Sequence, residues 1–346
     1  MTTRFSIAFW EECMPHTLPL HPSSSSRTRF ARRRLATASA ALSLSLSLSL
    51  SLSLSLSLML GHGAAHAQVN AEASAAVESS AQEAALPAEL AKVAKLPVEQ
   101  QARWLRTAAR QGTLEKLDDA TLTALFKSLD PQTVPDYVAA GPIGHPSYEF
   151  TMLRQERISG KWSDTPDHML VKVTRSPLRV YAKWLPDGAH SGQEVIYDSA
   201  KRADEMYGHL GGLLGKVPMW TAVDGTLARA QSNHQVRDLG TEFVANLYLT
   251  EAKKYREAGA LKPTHVEAKT VKGVRVVALT YETPGGRPQF YAKKETLGLD
   301  LRQPYFRTVE SYDNDGRVFE KIVFEKITPK SLDETAFDPK NPDYKF

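Results

Sequence analysis

The chain has one cysteine, Cys13, among 346 residues. No intramolecular disulfide can form, and past position 13 there is neither a thiol nucleophile nor a thiolate to ligate a metal. Positive charge is also scarce where it would matter. The formal net charge of +4 resides in the first 67 residues, where Arg4, Arg27, Arg29, Arg32, Arg33 and Arg34 stand against Glu11 and Glu12. The remainder is neutral and lacks the basic field that nucleic acids or anionic membranes attract, so no nucleic-acid partner is expected. Catalytic signatures are missing as well. Gly211-Gly212-Leu213-Leu214-Gly215-Lys216 has the wrong glycine spacing for a phosphate loop, and Val217 follows where a Ser or Thr is needed. Around Asp313-Asn314-Asp315-Gly316, Ser311 and Ile322 occupy the positions where a calcium loop places acids. His145, His168, His190, His209, His234 and His265 form no i, i+4 pair, and there is no nucleophile elbow; neither metal nor cofactor is expected.

What is present begins with a leader. Arg27–Arg34 is basic, Leu35–Leu60 is uncharged, and Ala65-His66-Ala67 before Gln68 has the small-x-small form of a processing site. Residues 1–67 are therefore expected to be a signal peptide, cleaved after Ala67, that sends the protein to the periplasm. Met14 is an alternative start to Met1. Leucine and serine alternate strictly from Leu42 to Leu58. The 26 residues of Leu35–Leu60 are long enough to span a bilayer, which makes an uncleaved anchor the competing reading. The eight serines of Leu42–Leu58 dilute the apolar character and favour cleavage.

Residues 68–85, rich in Ala, Ser and Glu, are expected to be a disordered linker, because they have too little apolar surface to bury. Over 86–140 the spacing turns helical, through Leu90, Val93 and Leu96, then Trp104, Leu105 and Ala108, then Leu122, Leu125 and Phe126. Pro97 and Asp118-Asp119 act as start signals, and the pattern predicts two or three helices ending near Asp130-Pro131. From 145 to 346 period two dominates, starting with Tyr148–Gly160, Met169–Val173 and Leu178–Trp184. Asp224-Gly225 predicts a hairpin turn into a strand at Thr226–Arg229. One amphipathic helix is inserted over 234–258, with Leu239, Phe243, Leu247 and Ala252 along its apolar face and Val244 and Tyr248 alongside. The fold class expected is α+β, mainly β: a large curved antiparallel sheet, a half-barrel of about 10–12 strands, covered by the one long helix behind a short N-terminal helical segment.

Several short motifs carry a resemblance. They are Gln155-Glu156-Arg157 with Gly160-Lys161, Lys172, Pro177–Trp184, Gly192–Tyr197 and the closing Phe337-Asp338-Pro339-Lys340-Asn341-Pro342-Asp343-Tyr344. In their order, the stretch from Tyr148 to Phe346 resembles the exported bacterial family known as domain of unknown function 1571. Where that family has an Arg-His-Pro-Ile type stretch before the long helix, this chain has Asn233-His234-Gln235-Val236. No reaction is assigned to the family. Strand count, interposed helix and export signal together resemble the periplasmic lipoprotein carriers and their outer-membrane receptors, whose half-barrels hold acyl chains beneath helical lids. That resemblance implies a binding role by analogy of fold.

Arg154 and Glu156 share one strand face while Arg157 points to the other. They are expected either to bind a polar head group at the rim of a cavity or to pair across strands with Lys172 or Lys183. Met169, Val171, Val180, Trp184, Tyr197, Trp220, Tyr281 and Phe306 supply large apolar groups, either to a core or to the wall of a lipid-sized cavity. A curved sheet has more concave face than one helix can cover. These residues are therefore expected to bind a lipid or acylated ligand without catalysis or cofactor. Two alternatives stay open. One is a cell-envelope hydrolase in which carboxylates such as Glu156 and Glu194 converge. The other is a structural component with an envelope protein partner, marked by an exposed apolar patch and a free sheet edge.

Overall fold

The computed structural model describes residues 86–212, 215, 217–284 and 289–346. The leader, its cleavage position and the linker at 68–85 lie outside these residues. Five helices come first, where the spacing predicts two or three: α1 (Ala88–Val93), α2 (Val98–Arg110), α3 (Thr113–Lys116), α4 (Asp119–Ser128) and α5 (Thr133–Ala139). Pro97 precedes α2, and Asp118 caps α4 by accepting the Thr121 N–H at 2.7 Å. Helix resumes beyond Pro131 because buried Gln101 pins the restart: its Oε1 accepts from Asp130 N–H and Thr133 Oγ1, at 3.0 and 2.7 Å. No helix among the described residues is long and apolar enough to cross a membrane.

The strands fall into two groups. Before the long helix come β1 (Ser147–Ile158), β2 (Lys161–Trp162), β3 (Asp167–Arg175), β4 (Leu178–Trp184), β5 (Glu194–Asp198), β6 (Glu205–His209) and β7 (Met219–Ala222). After it come β8 (His265–Val271), β9 (Val274–Glu282), β10 (Lys294–Asp300), β11 (Phe306–Tyr312) and β12 (Val318–Pro329). All pair antiparallel in the order β7-β6-β5-β4-β3-β1-β12-β11-β10-β9-β8, with β2 attached to β1. The result is one large, curved, unclosed sheet made of two meanders joined at the β1–β12 seam. α4 guards the β8 edge, where Thr123 Oγ1 accepts the Ala268 N–H at 2.9 Å. No strand among the described residues pairs the outer edge of β7.

Between β7 and β8 lie α6 (Thr226–Arg229) and α7 (Thr241–Glu257). α6 replaces the expected strand. A two-residue hairpin turn after Asp224 needs a positive φ at Gly225, and Gly225 instead has φ −68°, extended backbone that caps the helix. α7 buries Val244, Tyr248, Ala252 and Tyr255, whereas Phe243 and Leu247 are only half-buried. Its apolar stripe is thus turned about one residue from the expected one.

The sheet face under α7 is the inner face. Tyr148, Phe150, Met152, Met169, Val171, Val180, Phe306 and Phe324 meet Val244, Tyr248 and Tyr255 there in a single core. On the outer face the C-terminal tail covers Tyr181 and Ile196 with Ala336, Phe337 and Tyr344, and the Tyr344 ring stacks on Tyr181 at 3.9 Å. Gly298 of β10 is a packing constraint, since a methyl group there would run into Thr308 Oγ1 and Val276 Cγ2. Gly298→Ala is expected to lose about 1–3 kcal/mol in urea unfolding.

Candidate ligand-binding site

Period-two placement puts a row of polar side chains on the inner face. Glu156 stands opposite Glu320 across the seam, Glu320 opposite Ser311, and Ser311 opposite Glu295. All four are buried, so each carboxylate needs partners or a proton. Arg154, also buried, places Nε 3.1 Å from Glu156 Oε2 and Nη2 3.1 Å from Asp167 Oδ2, and its Nη1 donates to Ser232 Oγ at 3.0 Å. Ser232 Oγ donates to Glu156 Oε2 at 2.8 Å, and the Asn233 N–H donates to Glu156 Oε1 at 2.9 Å. His234 Nε2 lies 2.5 Å from Glu320 Oε1, and Tyr291 donates to Glu320 Oε2 at 3.0 Å.

Burial opposes the charge of His234, but Glu320 and Glu156 outweigh it and raise its pKa above the usual imidazole value. For Glu320, burial favours the acid form, but His234, Tyr291 and Arg154 outweigh that and lower its pKa. The two therefore form an ion pair. For Glu295, burial first and then the charges of Glu320 and Glu251 overcome a hydrogen bond with Ser311, and its pKa is pushed up to about 8. It is a neutral acid at pH 7.

Glu156, His234 and Glu320 bring one ligand atom each within 4.8 Å of one another. A divalent cation there would have to displace the bonds from Ser232, Asn233 and Tyr291 and sit beside the Arg154 guanidinium. The set fits a different task, holding the segment 232–234 onto the sheet. Nor do Glu156 and Glu194 converge. Glu194 is on the outer face, where it meets Lys183 Nζ at 3.3 Å and accepts from Tyr181 and the Lys345 N–H, both at 3.1 Å. Lys172 is outside too, donating to Tyr344 at 3.2 Å. The partners of Arg154 and Glu156 are thus Asp167 and Ser232, not the lysines expected.

The same 226–239 segment roofs a cleft. Toward β5–β7 the inner face extends beyond α7, and α6 lies over it. Val195, Met206, Gly208, Met219 and Thr221 form the floor, with Leu227, Ala228 and Gln231 opposite and Gln193, His209 and Leu210 at the ends. The cleft is narrow, about 40 Å³. Gln231 is its latch, accepting the Gln193 side-chain N–H at 2.9 Å. One buried polar atom on its wall, Gln193 Oε1, has no partner; the His209 ring projects to the outer face, where it meets the Phe346 ring at 5.5 Å. Three of the exposed large apolar residues of the described chain line it, Leu210, Met219 and Leu227, with Met219 50% exposed.

Sequence reasoning anticipated a broader hollow. Met169, Val171, Val180, Trp184, Tyr197, Tyr281 and Phe306 do share the inner face, but they are packed into the core against the protein's own side chains. Tyr281, for instance, bonds Tyr248 through its hydroxyl at 3.1 Å. The gap beside Arg154, His234 and Phe243 is about 20 Å³, far below lipid size. Trp220 is on the outer face, under Arg202 at 4.1 Å and beside Tyr207. The residues that line the cleft instead, Met206, Met219 and Gln193, left only a weak signal: Met206 and Met219 stand in short strands near the sheet's edge.

A family model described as a protein of unknown function (DUF1571) matches residues 145–346. No curated protein matches the chain. Among solved structures, it is similar to an uncharacterized conserved protein from Thermus thermophilus, at 12% identity and TM-score 0.34, over 61% of this chain and 94% of that one. A DUF1329 family protein from Desulfovibrio piger is similar at 11% identity and TM-score 0.28, over 62% and 97%. The MucA/MucB complex from Pseudomonas aeruginosa is similar at 14% identity and TM-score 0.29, over 56% of this chain and 55% of that one.

Proposed function

The chain belongs to the family of proteins of unknown function DUF1571, and we propose that it is a non-catalytic binding protein of the cell envelope. Its ligand is the apolar chain of a lipid or acylated molecule, taken into the cleft between α6 and the β5–β7 end of the sheet. The observation that carries this reading is the exposure of Leu210, Met219 and Leu227 along a cleft on a part of the inner face that α7 leaves bare. Envelope location rests on the leader motif, Arg27–Arg34 through Ala65-His66-Ala67.

Binding requires α6 to lift. Gln231 releases Gln193 while Ser232 stays held by Arg154 and Glu156, so the segment pivots about a fixed point. Each methylene then buried contributes about 0.8 kcal/mol. Titration with a fluorescent fatty-acyl probe, alongside native mass spectrometry, tests this. Met219→Glu and Leu227→Glu, both at exposed positions, are expected to weaken uptake about tenfold or more without unfolding the protein. If the native protein takes up no apolar probe, or both variants bind as it does, the reading fails.

A further inference from the structure

We infer that the outer edge of β7 is an interface between two copies of this chain, in which β7 pairs antiparallel with its twofold mate and joins the two sheets into one. The inference is independent of the cleft and its ligand. Its first support is the direction of the backbone groups. The Val223 N–H donates to the Asp204 carbonyl at 3.0 Å. In the β6–β7 register, Thr221 and Met219 therefore exchange hydrogen bonds with Met206 and Gly208, while Trp220 and Ala222 turn their backbone groups outward. Pro218 shares their parity. No strand among the described residues meets these groups. The edge thus offers the N–H and C=O of Trp220, the N–H of Ala222 and the C=O of Pro218. Two positions on it are blank. The Ala222 carbonyl already accepts the Gly225 N–H at 3.1 Å, and Pro218 has no N–H.

These blanks select both partner and register. With Trp220 opposite Trp220 of a second copy, the two tryptophans exchange a pair of bonds, and each Ala222 N–H reaches the Pro218 carbonyl of the other copy. The reciprocal bond would join the missing proline N–H to the engaged Ala222 carbonyl, so the two blanks face each other and nothing is left unmet. A slip of two residues in either direction sets Trp220 against Pro218 or Ala222 and leaves half as many bonds.

The second support is apolar exposure. Every exposed large apolar residue among the described residues falls between 210 and 227, the stretch that contains β7, with Val217 71% and Trp220 45% exposed. Sheet edges are ordinarily charged or covered. The opposite edge, β8, is both, carrying Glu267 and Lys269 and bonded by α4, whereas Met219–Ala222 has no charge at all. Pairing sets one Trp220 ring beside the other on the outer face. Arg202, which lies over that ring at 4.1 Å, is paired with Glu205 at 2.6 Å, so the twofold brings no unpaired charge to the axis.

Sedimentation equilibrium of the full protein over about 1–500 μM tests the inference, and the mass is expected to rise from that of a monomer to that of a dimer within this range. Ala222→Pro deletes an outward N–H that has no partner within the chain, a change an edge strand accommodates, and is expected to weaken association about tenfold or more. Trp220→Lys alone sets two ammonium groups face to face and should remain monomeric. Mixed with Trp220→Glu it should form a mixed dimer, a recovery that a folding defect does not produce. A native protein that stays monomeric throughout overturns the inference, including one whose β7 edge is filled only by a strand of another protein. A dimer that survives both Ala222→Pro and Trp220→Lys uses a different face and overturns it equally.

Discussion

Arg154→Met is expected to lower the unfolding free energy by about 3–5 kcal/mol, because it strands buried carboxylates without compensation. The guanidinium stands between Glu156 and Asp167, both buried, and also holds Ser232. A methionine of similar length leaves the volume nearly filled, so most of the loss is electrostatic. That assignment has its own check. Stranded acids take up protons as the pH falls, so the deficit in urea unfolding should shrink steadily toward about pH 4, and a cavity would show no such recovery. A deficit below about 1 kcal/mol at neutral pH would mean that Arg154 is not the centre of the network. Loss of the Ser232 anchor should also appear as faster amide exchange in 226–239, ahead of global unfolding.

Glu295→Gln should act in the opposite direction and stabilise the protein. The unfolded chain releases this proton near pH 4.5, but the native site, desolvated and facing Glu320 and Glu251, holds it up to about 8. Between those two values the unfolded state gains free energy that the native state does not. The native penalty therefore grows with pH, reaching about 3 kcal/mol at pH 7. Glutamine does not titrate, so its advantage is expected to be small at about pH 5 and to rise by about 3–4 kcal/mol by about pH 8. Equal stabilisation at both ends would show that Glu295 is ionised in the native state. Should the ligand bind with α6 raised, the stabilised variant also separates global stability from opening, since Glu295 is remote from the Gln193–Gln231 latch in the strand order.

Much of the sheet was legible because side-chain alternation declares a half-buried strand regardless of its partners. Tyr148, Phe150 and Met152 mark the inner face of β1 without any knowledge of β12. The polar row was partly legible by the same rule. Glu320 alternates with Ile322 and Phe324, and Glu295 with Leu297 and Leu299, so each is a charge on an apolar face. What alternation does not give is which strands are neighbours. Only the seam brings Glu156 to Glu320, and only the return of the chain after α6 brings Ser232 and His234 to both. Lys172 and Lys183 had the right charge for Glu156 but the wrong parity, a distinction that was available in the sequence and that proximity along the chain obscured. α6 was hidden because Asp-Gly serves equally as a hairpin turn and as a helix start. The cleft's floor was hidden because it depends on where α7 ends relative to the sheet, a length fixed in three dimensions.

The seam between β1 and β12 has a kinetic corollary. The first strand made finds its central partner only when the last one has been synthesised, so neither meander can complete its hydrogen bonding while the chain is still growing. A polypeptide of this topology stays open until its end is delivered, the condition in which a chain can be threaded through a narrow pore before it folds.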